Sequence, residues 1–156
     1  MTETNKDQII ADVMSYLNTI GYDYDFDEIE DGPLRIYFQT DILTYVIIFN
    51  EDMFSIICPV IPNTNKENII EVMRFLTMVN YRMKYGNLAM DIETGEVIIV
   101  IHTDYKGADY LPKGVIEDAI LFPQAIFAKY GLSIMEIALG VSDADTEFEN
   151  IKGSNK

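Results

Sequence analysis

Apolar residues recur every third or fourth position near the start of the chain. Ile9, Ile10, Val13, Met14, Leu17 and Ile20 form one stripe, the period of a helix with a single buried face. Thr4 with Asp7 resembles a capping box and Gly21 supplies a stop, so the predicted helix runs from Thr4 to Ile20. From Tyr22 the period falls to two. Tyr22, Tyr24 and Phe26 alternate with Asp23, Asp25 and Asp27, as in a strand with one face buried and one wet. After the turn residues Asp31-Gly32-Pro33 come three β-rich runs: Leu34 to Gln39, Leu43 to Phe49 and Met53 to Ile61. Their polar breaks, Thr40-Asp41 and Asn50-Glu51-Asp52, are too short for a parallel crossover, so the neighbours should be antiparallel. Pro59 cannot donate to a ladder, and the third run is expected to end there or lie at a sheet edge.

Helical periodicity then returns. Thr64 with Glu67 reads as a second capping box, opening a helix that runs to about Tyr85 with Gly86 just beyond it. Asn87 to Ile92 and Glu96 to Thr103 form a hairpin around Glu93-Thr94-Gly95. A last helical region begins near Pro112, with Pro123 expected to kink or split it and Gly131 to set off a short piece, Leu132 to Leu139. From Val141 the chain is acidic and polar, the composition of a frayed tail. The resulting order is α-β-β-β(-β)-α-β-β-α: an α+β domain over residues 1–140, with an antiparallel β-sheet flanked by helices, and a flexible tail over 141–156.

Size and charge narrow the function. A chain of 156 residues with 49% hydrophobic positions suits one domain with a real core. Eleven Lys and Arg against 26 Asp and Glu leave a net charge of −15, which repels phosphate; neither nucleic acid nor membrane is an expected partner. No apolar run approaches the ~20 residues of a membrane helix. The polar N-terminus lacks a signal-peptide pattern and the chain has one cysteine, so a cytoplasmic location is expected.

Candidate chemistry is sparse. A calcium loop starting at Asp23 would need Gly at Glu28 and Glu at Leu34, and has neither. The alternation instead places Asp23, Asp25 and Asp27 on a solvated strand face. Cys58 lies in the apolar run Ile56-Ile57-Cys58-Pro59-Val60, where a thiol is inert, and His102 ends another apolar run. Nothing in the sequence pairs them as nucleophile and base. With one His and one Cys, a closed zinc site would need mostly carboxylates. Phosphate loops and the Gly-x-Ser-x-Gly elbow are missing. No catalytic, cofactor or metal residue is therefore predicted. A small hydrolase or metal-dependent enzyme using scattered carboxylates is one alternative, and a structural homodimer subunit of a larger assembly is another.

The informative element is the middle helix, residues 66–85. Ile69, Ile70, Val72, Met73, Phe75, Leu76, Met78 and Val79 encircle it, and a helix apolar all round must be covered on two sides. One cover is the sheet. The other is either the last helix or another chain, a homodimer mate or a client protein. Met73, Met78 and Met83 give an adaptable surface, and Lys66, Arg74, Arg82 and Lys84 make this the one element with excess positive charge. Val72, Phe75, Met78, Val79 and Arg82 are the candidate partner or dimer surface.

Phe75-Leu76-Thr77-Met78-Val79-Asn80-Tyr81-Arg82, then Gly86-Asn87-Leu88-Ala89-Met90-Asp91 and Glu93-Thr94-Gly95-Glu96-Val97, resemble the central signature of the bacterial YbjN family. Asp31-Gly32, Leu34-Arg35-Ile36-Tyr37-Phe38 and Tyr45-Val46-Ile47-Ile48 are similar to its first strands, and the match covers most of residues 5–140. Pro123 and the acidic tail depart from it. The resemblance implies the fold of type III secretion chaperones, often homodimeric, and the label of a sensory-transduction regulator. It carries no catalytic residues. The expected function is a non-enzymatic, chaperone-like or regulatory protein-binding module, acting through apolar surface near residues 66–85 or through a sheet edge.

Overall fold

Polar breaks of two or three residues force successive β-rich runs to fold back on one another. In the computed structural model, which describes residues 3–154 and side chains from 5 to 153, they do. The elements are α1 (Glu3–Ile20), β1 (Tyr24–Glu28), β2 (Leu34–Gln39), β3 (Thr44–Phe49), β4 (Met53–Ile61), a 3-10 turn (Lys66–Asn68), α2 (Ile69–Arg82), β5 (Asn87–Met90), β6 (Val97–Asp104), α3 (Lys113–Ala138) and α4 (Ala144–Ser154). The strands make one sheet in the order β1-β2-β3-β4-β6-β5, antiparallel in each described pairing. This is the expected α+β arrangement with one helix added at the end. The Thr4 side chain of the first capping box lies outside the described residues. By internal contacts the chain divides into two compact units, Met1–Cys58 with Ile101–Pro123, and Pro59–Val100 with Gln124–Lys156.

In the first unit, period-two alternation decides what is covered. Ile36 and Phe38 on β2, Tyr45, Ile47 and Phe49 on β3, and Phe54, Ile56 and Cys58 on β4 are buried, as are Ile9, Val13 and Leu17 of α1. The Tyr45 hydroxyl donates to the Ile120 carbonyl of α3 at 2.8 Å, and the rings of Tyr22, Phe38 and Tyr45 stack in sequence at 5.5 and 4.4 Å. The intervening residues Arg35, Tyr37, Val46, Ile48 and Ile57 are only half-buried. β1 departs from expectation. It is an edge strand with β2 on one side only; of its expected inner face Tyr22 and Tyr24 are half-buried, but Phe26 is 59% exposed.

Pro59, expected to end its run or mark a sheet edge, and Pro123, expected to kink or split its helix, both sit inside continuous elements. β4 continues through Pro59 and lies between β3 and β6. The described β3–β4 ladder stops at Val46 with Ile57, before Pro59 is reached. α3 runs unbroken through Pro123 and Gly131. At Gly131 a Cβ would stand 2.8 Å from the Phe127 ring, so that glycine allows close packing and ends nothing. An 18-residue window of α3 has a mean hydropathy of 1.2, long and apolar enough by length and composition to cross a membrane. This corrects the expectation that nothing in the chain approaches such a length, because a few polar residues interrupt the run without lowering its mean. Ile116, Ala119 and Ile120 in the first unit, and Ile126, Tyr130, Ile134 and Ile137 in the second, are buried within the protein, the pattern of a core helix.

In the second unit the acidic tail is not frayed. Residues 144–154 form α4, which packs on α2. Asp143 caps it, its Oδ1 accepting the Thr146 N–H at 2.8 Å, and α2 supplies the docking face that an isolated polar segment lacks. Thr64 does not cap α2 either. Its hydroxyl donates to the Gly95 carbonyl at 2.7 Å, and a 3-10 turn without a side-chain cap leads into the helix.

Candidate functional site

The all-round apolar pattern of α2 resolves into three rows. Val72, Phe75, Leu76 and Val79 point inward and are buried, with the Tyr130 ring set edge-on to Phe75 at 6.5 Å. Val72, Phe75 and Val79 are therefore core residues and not a partner surface. The sequence period required two covers but could not say which row each would take. Met78 and Arg82, the other two candidates, belong to a second row with Glu71 and Arg74, spaced at three and four residues along the side that α4 covers. Met78 is half-buried, and the exposed Arg82 guanidinium stands over the Phe148 ring at 5.5 Å. The third row faces solvent: Ile70 is 70%, Met73 41% and Tyr81 93% exposed, with exposed Thr77 between them. Ile70, Met73, Arg74, Thr77 and Met78 line an open hollow of about 460 Å³. The 3-4-4 spacing of residues 70, 73, 77 and 81 was present in the sequence; the long-range partners that bury the other two rows were not.

Charge is organised around the junction of α2 and α4. One Glu71 oxygen accepts the Ala144 N–H at 3.0 Å and the other accepts from Arg74 at 2.9 Å. Arg74 also donates to both Asp145 oxygens at 3.1 and 3.3 Å. The Ala144 amide, then Arg74, hold the Glu71 carboxyl below the usual glutamate range, and the Thr146 amide does the same for Asp143. A neighbouring carboxyl, Glu147, hydrogen-bonds Glu136 and pushes it up. A carboxylate with a depressed folded value stabilises the fold above its unfolded value and loses that contribution as pH falls. The Ala144 amide resonance should therefore titrate below the ordinary glutamate midpoint in an NMR pH series, and a midpoint at the ordinary value would show that the Glu71 contact is not formed.

Reactive groups elsewhere are held apart. Cys58 is buried on the helix-covered side of β4 and its thiol is pushed up to about 12 by burial. Its alternation partner Ser55 points the other way, where Ser55 Oγ and His102 Nδ1 share a hydrogen bond of 2.8 Å. A Cys–His pair is thus excluded by strand geometry. Iodoacetamide should label the native thiol at least ~100-fold more slowly than the urea-unfolded one, read by intact mass, since only the thiolate reacts. Among the described residues no group of three His, Cys, Asp or Glu is placed to hold a metal ion. Open hollows of about 350 and 500 Å³ in the first unit carry Asp12, and Asp7, Glu28 and Glu51. The two sheet edges also differ. β1 carries Asp25, Asp27 and Glu28, with Asp27 accepting from the Tyr37 hydroxyl at 3.1 Å. β5 is closed at Leu88, whose N–H and carbonyl both bond the Asn80 side chain at 2.9 and 2.8 Å.

No family model matches the chain, and no curated protein matches it. Among solved structures it is similar to the crystal structure of YbjN from E. coli, with a TM-score of 0.47 and 9% identity over 83% of this chain and 87% of that one. The likeness is one of chain path and gives no residue a role.

Proposed function

We propose that this chain is a non-enzymatic protein-binding module, chaperone-like or regulatory, that takes its partner on the outward row of α2. The observation that carries this is the apolar row itself: Ile70, Met73 and Tyr81 lie exposed on a helix whose other rows are covered. Exposed apolar residues gathered on one element, beside an adaptable methionine surface, mark interaction sites. Lys66, Arg74, Arg82 and Lys84 lie on the same segment, so the fitting partner is an apolar segment with acidic flanks. A second copy of net charge −15 adds long-range repulsion, which favours a heterologous partner over a homodimer. The sheet edges fit less well, because β1 is acidic and β5 is capped. The single buried thiol suits the cytoplasm.

Photo-crosslinking tests the reading. A photoreactive residue at Tyr81 should capture a reproducible partner from lysate of the parent cells, whereas one at exposed Asn18 on α1 should not, and Met73→Glu with Ile70→Glu should abolish capture. Equal labelling at Asn18 and Tyr81, or capture indifferent to the double substitution, overturns it.

A further inference from the structure

Helix α4 behaves toward α2 as a ligand does toward a receptor. Ala144, Phe148 and Ile151 fall at four- and three-residue spacing on one side of α4, while Asp145, Glu147 and Glu149 outweigh Lys152 and leave the helix acidic, with Asp143 capping its start. It meets the row Glu71, Arg74, Met78 and Arg82, next to the outward row and sharing Arg74 and Met78 with the open hollow. Three contacts fix the register. Arg74 forks onto Asp145, Glu71 accepts the Ala144 N–H at the helix start, and Arg82 lies over Phe148. Lys152 covers the same ring at 5.0 Å. The Arg74 and Asp145 side chains are 46% and 70% exposed, and exposed ion pairs of this kind hold weakly. The tether from α3 is five residues long and includes Gly140 in the left-handed region, φ +75°. Ala144 and Glu147 are buried at the start of α4, while two arginines facing an acidic helix through exposed polar contacts describe, along the rest of its length, a seat whose occupant can be exchanged.

We propose that the Glu71-Arg74-Met78-Arg82 row of α2 recognises an acidic amphipathic helix with an aspartate three residues before a phenylalanine, and that α4 is its built-in occupant, displaced by a partner helix of the same chemistry. This rests on the reading of α2 as the partner-binding element and specifies both the partner and its control. Displacement frees Arg74 and Arg82 beside the open hollow that Met78 already lines, joining the two rows into one surface. While tethered, α4 competes at the millimolar effective concentration of a short linker.

The test uses the full chain and a labelled synthetic peptide of residues 141–154 as probe. Asp145→Arg sets two cations against each other at an exposed position, so α4 should leave while the rest stays folded. Hydrogen exchange over 144–154 should quicken, and anisotropy should show the peptide binding this variant about tenfold or more tighter than the unsubstituted chain, whose own α4 competes. Adding Arg74→Glu, or using a peptide with Phe148→Ala, should reverse the gain; Asp145→Asn should give an intermediate result. Fast exchange over α4 without tighter peptide binding overturns the proposal, as does exchange unchanged by Asp145→Arg. Crosslinking at Tyr81 does not require α4 to leave, so the two readings can fail separately.

Discussion

Replacing Gly95 with alanine is expected to destabilise the fold by roughly 3–5 kcal/mol, at the upper end for a single substitution. Gly95 closes the β5–β6 hairpin with φ +76°, and there an alanine loses about 1 kcal/mol to its own backbone. The larger cost is the neighbour. A Cβ at this position would stand 2.4 Å from the Thr64 nitrogen and 2.8 Å from the Thr64 carbonyl oxygen. Both are main-chain atoms that no rotamer change can move aside. Separating the two segments also strands the buried bond from the Thr64 hydroxyl to the Gly95 carbonyl, worth about 1–3 kcal/mol when a buried partner is orphaned. Gly107 isolates the contact. Its φ is +74° but nothing lies within 4 Å of an added Cβ, so Gly107→Ala should cost only the ~1 kcal/mol of backbone conformation. Urea midpoints compare the two directly, and equal losses would remove close approach as the reason for glycine at 95.

That contact also shows where the sequence stops being readable. Thr64 with Glu67 has the spacing of a capping box, but a hydroxyl bonds whichever acceptor the fold brings to it. Here that acceptor belongs to a turn 31 residues further on. The strands were legible because breaks such as Thr40-Asp41 act locally: Leu34 to Gln39 is β2 to the residue. The exposure of Phe26 at the end of the β1 face was not legible, since alternation says which residues share a side and not how far the cover reaches. In α2 the period announced two covers, yet Val72, Phe75 and Val79 look no different in sequence from Ile70, Met73 and Tyr81. Only Tyr130 and α4, more than 50 residues downstream, decide which row is inside. For α4 a local signal did exist in Asp143 and Thr146, and acidity hid it. The segment docks on α2 through Glu71 and Arg74, some 70 residues upstream.

Asn80→Asp is expected to cost about 2–3 kcal/mol at neutral pH, by converting a satisfied pair of hydrogen bonds into one bond and one repulsion. From the last turn of α2 the Asn80 amide donates to the Leu88 carbonyl at 2.8 Å and accepts the Leu88 N–H at 2.9 Å, as a neighbouring strand would. A carboxylate has nearly the same shape and keeps the acceptor, but places a second anionic oxygen against the carbonyl. Protonation restores a donor, so the introduced acid should have a raised value in the folded state. A raised value means the contribution is present below the unfolded value, near ~3.9, and lost as pH rises through the folded one. The urea midpoint should thus fall further behind the parent at pH 7 than at pH 3.5; a pH-independent gap would mean that Asn80 acts by packing alone. Asn80→Leu, which supplies neither donor nor acceptor, should lose stability at every pH and also bare the N–H and carbonyl of Leu88 on an edge strand. Unpaired groups there invite another strand, so light scattering of that variant should show association that the parent lacks. The same residue that anchors the end of α2 thus closes the β5 edge, and leaves the outward row of the helix as the exposed apolar surface of this element.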